Sequence, residues 1–96
     1  MNLTGKVFIV TGASSGIGEE LSRVLAQKGA LIVCAARRTE ELERVSTAIT
    51  TSGGSALAVQ TDITDLDACH HLVQQTINTY GKLDGLILNA GISMWA

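Results

Sequence analysis

Three glycines, Gly12, Gly16 and Gly18, fall within seven residues in the stretch TGASSGIG, between the apolar run VFIV and the segment EELSRVLAQKG. Glycine at such positions lets a backbone turn sharply, approach a ligand closely and pack a following helix tight against a strand. The free N–H groups of a helix start then face the turn, and that chemistry suits a diphosphate. A glycine pattern alone also describes an ordinary tight turn, so its weight depends on a strand before it and a helix after it. Farther along stand the pair Arg37 and Arg38, then Asp62, then Asn89 ahead of Ala90 and Gly91. A guanidinium holds a phosphate through parallel hydrogen bonds. Each of these residues also has a plainer reading. The arginines can be solvated side chains pairing with Glu40 or Glu41, Asp62 can cap a helix ahead of Thr64 and Asp65, and Asn89 can satisfy backbone groups between strands.

The elements that must position these residues follow from hydrophobic periodicity. Four short apolar runs, Lys6 to Val10, Ala30 to Ala36, Ser55 to Gln60 and Leu83 to Asn89, read as strands. Their apolar residues run on continuously rather than alternating, as in strands buried on both faces of a parallel sheet. Three helices separate them. The first presents Ile17, Leu21, Val24, Leu25 and the methylenes of Lys28 on one face, with Gly29 as its C-terminal stop. The second opens on Thr39 as N-cap, places Glu40, Glu41 and Glu43 near the positive end of its dipole, and packs through Leu42, Val45 and Ile49 before Gly53. The third starts near Thr64 or Asp65 and packs through Leu66, Cys69, Val73, Ile77 and Tyr80 before Gly81.

This βαβαβαβ alternation predicts right-handed crossovers and a parallel sheet covered by helices on both faces. In the doubly wound order 3-2-1-4 the chain changes direction between the first and fourth strands, and ligands bind at that switch point. TGASSGIG follows the first strand and NAGIS follows the fourth, so both glycine-rich segments fall there.

Taken in order, TGASSGIG, TDIT and LNAGIS resemble the motifs of the short-chain dehydrogenase/reductase family. Thr11, Gly12, Gly16 and Gly18 meet its TGxxxGxG pattern, and Asn89, Ala90 and Gly91 meet its NNAG, with Leu88 in place of the first asparagine. The resemblance covers all 96 residues and implies an α/β, Rossmann-like fold of which residues 1–96 are an N-terminal, NAD(P)-binding portion. It also implies cofactor contacts from Gly12, Ser14, Ser15, Gly16, Ile17 and Gly18 in the turn, from Asp62 and the Ile63 backbone at the adenine, and from Asn89, Ala90 and Gly91. An acidic residue at the end of the second strand favours NAD, whereas an arginine there accommodates the extra phosphate of NADP. Ala36 stands at the acidic position with Arg37 and Arg38 after it, so NADP is expected, NAD being the alternative; Ser15 stands where many NADP enzymes carry a further basic residue.

Other residues and the composition narrow the classes. Ninety-six residues, 46% apolar and 17% charged, make one small globular domain. A net charge of −2 offers no basic field for nucleic acid, and no apolar run approaches the ~20 residues of a membrane span. Cys34 and Cys69 form no CxxC, and the N-terminus lacks the apolar region of a signal peptide, so free thiols in an intracellular, cytoplasmic setting are expected. Both cysteines read as packing thiols. His70 and His71 are adjacent on a helix and about 100° apart, which is not the spacing of two metal ligands. Tyr80 lacks the YxxxK spacing of the family's catalytic pair and reads as a core residue, while Met94 and Trp95 could line a substrate cleft.

No YxxxK occurs in the chain, so no catalytic residue is assigned within it. The resemblance implies the NADP(H)-binding portion of an oxidoreductase interconverting alcohols and small-molecule carbonyls, inactive as these 96 residues alone. The alternative is a non-catalytic dinucleotide-binding module or a half domain completed by a partner chain. A methyltransferase binding S-adenosylmethionine would want an acid at Ala36, which argues against that class. The fourth strand, with Leu86, Ile87 and Leu88, is expected to present an open edge and invite self-association into a homo-oligomer.

Overall fold

The structure, a computed structural model, describes residues 2–13 and 16–89. The elements run β1 (Val7–Thr11), α1 (Gly16–Gln27), β2 (Leu31–Ala36), α2 (Thr39–Thr51), β3 (Ser55–Gln60), α3 (Leu66–Tyr80) and β4 (Gly85–Ile87). The strands form one parallel sheet in the order β3-β2-β1-β4, the Rossmann-like arrangement expected from the alternation.

Burial on both faces explains the continuous apolar runs. Val10, Ile32 and Cys34 point to one side, where they pack with Leu42, Val45 and Ile49 of α2. Ile9, Val33 and Ala35 point to the other and pack with Val59 and Leu72. Cys34 is fully buried, and burial pushes its thiol up to about 11, so it serves packing rather than nucleophilic chemistry.

The helices correct the periodicity in three places. On α1 the buried residues are Gly18 and Ser22, while Ile17 is 75% exposed and Lys28 is exposed. Near its start this helix leaves no room for a Cβ at Gly18, while farther along Leu25 packs partly buried against the core as expected, and the Ser22 hydroxyl is satisfied by donating to the Gly18 carbonyl at 2.8 Å. On α2 the stripe of Leu42, Val45 and Ile49 is buried as expected, but Thr39 is the first helical residue; the N-cap is Arg38, with no side-chain cap bond. On α3 the buried positions are Leu72 and Thr76, and Leu66, Val73 and Ile77 stay exposed. The true face is turned by one residue, about 100°, from the one that apolar residues alone suggest. Thr76 can be buried because its hydroxyl donates to the Leu72 carbonyl at 2.9 Å.

Asp65 caps α3 by accepting hydrogen bonds from the amides of Asp67 and Ala68, and Gly81 ends it in the left-handed conformation. Tyr80 is half-buried against the Ile9 cluster, and its hydroxyl lies 3.0 Å from that of Ser55. No helix among the described residues is long and apolar enough to cross a membrane.

The fourth strand, Gly85–Ile87, is shorter than its apolar run, and Asp84 fixes where it starts. Asp84 exchanges two bonds with Val7: its amide donates to the Val7 carbonyl, and its carboxylate accepts from the Val7 amide, both at 2.8 Å. At Gly85 a Cβ would sit 2.6 Å from the Phe8 ring, which would have to shift to admit one.

Two measurements check this packing. Leu72→Ala should cost about 2–4 kcal/mol in urea denaturation, against about 0.5 kcal/mol or less for the more exposed Val73→Ala; equal losses would contradict the observed face of α3. The Val7 amide and the Lys82 ammonium hold the Asp84 carboxyl below its ordinary value. A depressed folded-state value means that the stabilisation is complete above about pH 4 and is lost as pH falls through the lower, folded value. The protection of the Val7 amide, its exchange rate relative to the intrinsic rate at the same pH, should therefore fall several-fold in Asp84→Ala at neutral pH, and in the unsubstituted chain only at more acid pH.

Candidate functional site

The expected cofactor-contacting residues that are described lie at the C-terminal edge of the sheet. Gly12 follows β1, Gly16, Ile17 and Gly18 open α1, Arg37 and Arg38 follow β2, Asp62 and Ile63 follow β3, and Asn89 lies just beyond β4. Parallel strands put all of these ends on one side, and the order β2-β1-β4 makes the ends of β1 and β4 neighbours. Ser14, Ser15, Ala90, Gly91, Met94 and Trp95 lie outside the described residues.

The three turn glycines are needed for different reasons. Gly12 has φ 65°, and a Cβ on it would lie 2.6 Å from the Asn89 carbonyl oxygen. On Gly18 a Cβ would overlap the Gly12 carbonyl oxygen and lie 2.6 Å from the Asn89 Nδ2. These two positions permit a close meeting of backbones. Gly16 is unlike them: its φ is 58°, yet a Cβ on it would meet no described atom within 4 Å. It faces open space beside the first-turn N–H groups of α1, which have no intrahelical partner and carry the positive end of the helix dipole. Ile17, 75% exposed, stands next to that space.

Asn89 ties the two strand ends together. Its amide donates to the Thr11 hydroxyl at 2.9 Å, that hydroxyl donates to the Ile87 carbonyl at 3.3 Å, and the Asn89 side chain donates to the Gly12 carbonyl at 3.5 Å. The reading of Asn89 as a structural link between strands is therefore met by its hydrogen bonds.

At the end of β2 the arginine faces Asp62 rather than the glutamates of α2. Arg37 Nη2 lies 3.6 Å from Asp62 Oδ2, with both side chains well exposed. Glu41 pairs with Arg44, which also reaches Glu19 on α1, both at 3.1 Å. Asp62 is not the cap of α3, a role that belongs to Asp65. Its Oδ1 accepts from the Thr64 hydroxyl at 2.6 Å and the Thr64 amide at 3.0 Å, leaving Oδ2 toward Arg37. Those Thr64 bonds, with Arg37 behind them, hold the carboxyl below its ordinary value. Arg37, Asp62 and Gln60 line a cleft of about 310 Å³. Gln60 escaped the sequence reading; its spacing of two from Asp62 at a strand end was the available signal.

A larger cleft of about 390 Å³ lies at the opposite end of the sheet, where α1 and α2 finish, and the one charged side chain in its described lining, Arg23, is paired with Glu19. It gathers no set of reactive groups. His70 and His71 are both exposed on α3, and no group of three metal-ligating side chains occurs among the described residues.

A family model described as short chain dehydrogenase matches residues 6–96. An uncharacterized oxidoreductase of Listeria innocua is 49% identical over 92 residues, covering 96% of this chain and 37% of that protein. An 11-beta-hydroxysteroid dehydrogenase-like protein of Arabidopsis thaliana is 42% identical, covering 95% of this chain and 30% of its own length. Among solved structures, a hydroxysteroid dehydrogenase from Escherichia coli superposes with a TM-score of 0.92 at 36% identity, over 95% of this chain and 39% of that one. The chain thus spans well under half the length of the relatives it matches.

The glycine geometry makes a ligand-free prediction. Gly18→Ala should lower the thermal midpoint by more than Gly16→Ala does, because the first displaces α1 from the Gly12 carbonyl while the second adds only backbone strain of about 1–2 kcal/mol. Equal midpoints in the two variants would contradict the close seating of α1.

Proposed function

The chain belongs to the short-chain dehydrogenase family, and from that premise we propose that residues 1–96 form the NADP(H)-binding portion of an oxidoreductase interconverting alcohols and carbonyls. The observation that carries this reading is the convergence of the glycine turn, Arg37, Asp62 and Asn89 on one edge of the sheet. In this proposal the segment from Gly12 through Ser14, Ser15, Gly16, Ile17 and Gly18 takes the diphosphate at the start of α1, and the open space at Gly16 fits that role. Arg37, with Arg38 beside it, takes the 2′-phosphate, and Asp62 with the Ile63 backbone takes the adenine. Asn89, with Ala90 and Gly91 of the same motif, completes the set. When bound, the nicotinamide supplies hydride to a carbonyl carbon or accepts it from an alcohol.

A proton must also reach the new alkoxide, and the family takes it from the tyrosine of a YxxxK pair. The 96 residues hold no such spacing, and the Tyr80 hydroxyl is engaged by Ser55 at the start of β3, at the other end of the sheet from the glycine turn. The proposal therefore assigns the acid to residues outside these 96. The free thiols Cys34 and Cys69 support a reducing, cytoplasmic setting.

A second reading is a dinucleotide-binding module without catalysis of its own, or a half domain completed by another chain. Leu86 and Leu88, 53% and 71% exposed at β4, favour such pairing, with a second copy of the chain as the proposed partner. NADPH oxidation with a simple aldehyde by the 96-residue chain would overturn the assignment of the acid elsewhere, and a compact monomer in sedimentation would overturn the pairing.

Calorimetry tests the cofactor. Arg37→Ala should weaken NADPH by about tenfold or more while leaving NADH nearly unchanged. Equal losses for both would remove Arg37 from the phosphate.

A further inference from the structure

The turn from β2 into α2 is held in an unusual way. Its N-cap, Arg38, makes no side-chain cap bond, so the turn lacks the usual anchor at a helix start. A side chain from the next strand holds the turn at a different group, a carbonyl rather than a first-turn amide: Gln60 Nε2 donates to the Arg37 carbonyl oxygen at 3.0 Å. The β2–β3 ladder does not need this bond, since the Thr61 amide already continues it by donating to the Ala36 carbonyl at 2.8 Å. Gln60 is exposed at the strand end, so burial does not demand the contact either. The bond restrains the peptide plane between Arg37 and Arg38, at the residue whose side chain lines the same cleft. Two residues on, Asp62 faces the guanidinium at 3.6 Å, beyond hydrogen-bonding distance, which leaves the guanidinium donors open to a better acceptor. Both ends of Arg37 are thus governed by the segment that ends β3, and the three side chains together line one cleft.

We propose that Gln60 is a positioning residue for cofactor choice: by holding the Arg37 carbonyl it aims the guanidinium at a phosphate on the 2′-oxygen of an adenosine. The inference rests on the NADP reading above. A phosphate monoester offers charged acceptor oxygens where the Asp62 carboxylate offers one at long range, so the exchange from Asp62 to phosphate favours the ligand. Adenosine without the phosphate gains nothing from the aim of Arg37.

Calorimetric titration with adenosine 2′,5′-bisphosphate and with 5′-AMP tests this, using the unsubstituted chain and Gln60→Met, which keeps the side-chain length and removes the donor. The expected result is a preference for the bisphosphate in the unsubstituted chain that falls about three- to tenfold in Gln60→Met, with 5′-AMP affinity within about twofold and an unchanged thermal midpoint. A preference that survives Gln60→Met intact overturns this inference alone. Equal weakening of both nucleotides, or a lowered midpoint accompanying the loss, shows a merely structural bond and overturns it too. Absence of any preference in the unsubstituted chain removes the NADP reading itself, and this inference with it.

Discussion

The contact on which the rest depends is the meeting of three backbones at Gly12, Gly18 and Asn89. No Cβ fits at Gly18 against the Gly12 carbonyl, and none fits at Gly12 against the Asn89 carbonyl. Because α1 can seat that closely, its first turn is brought to the end of β1, and its unsatisfied N–H groups arrive where the chain also brings the end of β4. The small-residue seam continues into Ser22, whose hydroxyl is consumed within the helix. Thr11 then joins the ends of β1 and β4 through one hydroxyl that donates to Ile87 and accepts from Asn89. A bulkier residue anywhere in this seam would separate the helix from the sheet and open the edge on which the site stands.

Charged groups in this chain orient more than they stabilise. Glu19 reaches Arg23 on its own helix and Arg44 on α2, and Arg44, then Arg23, hold its carboxyl below the ordinary value despite some opposing desolvation. Pairs as exposed as these contribute little to folding free energy, though Arg44 links α2 to α1 through Glu19. Arg37 and Asp62 are more exposed still and lie farther apart, so their pairing leaves both groups available. Asp84 differs, because its partner is a backbone amide at the entry of β1, and its bond decides strand register. The two hydrogen bonds between Asp84 and Val7 start β4 at a defined place beside β1 and so determine where Asn89 arrives.

Much of this was legible before any coordinates. The apolar runs identify four strands, and the burial on both faces that their continuity signals is met in β1 and β2, whereas β3 is mostly half-buried and Leu86 of β4 is 53% exposed. The alternation and right-handed crossovers predict a parallel sheet, and the order β3-β2-β1-β4 is that of the Rossmann-like fold the family resemblance implies. The glycine turn after β1 and the asparagine after β4 mark the switch point for the same reason, since topology alone brings those two ends together. Gly29, Gly53 and Gly81, all with positive φ, stand where the helices were expected to stop.

Only the tertiary structure decided which faces the helices bury and which polar partners meet. Apolar spacing pointed to Ile17 on α1 and Val73 on α3, whereas the buried positions are Gly18 with Ser22 and Leu72 with Thr76. On α1 the reason is distance, since no Cβ fits at Gly18 against the Gly12 carbonyl, and on both helices a buried hydroxyl, Ser22 or Thr76, is satisfied by its own backbone, which hydrophobicity does not report. Thr39 reads as a cap from its type, but the path of the chain out of β2 places Arg38 there instead. Asp62 meets Arg37, and Gln60 meets the Arg37 carbonyl, because β2 and β3 end side by side in register. Residues 23 and 25 positions apart along the chain become partners only through that pairing, so the sequence by itself supplied the motif and the strand order, and the sheet register supplied the neighbours of its arginine.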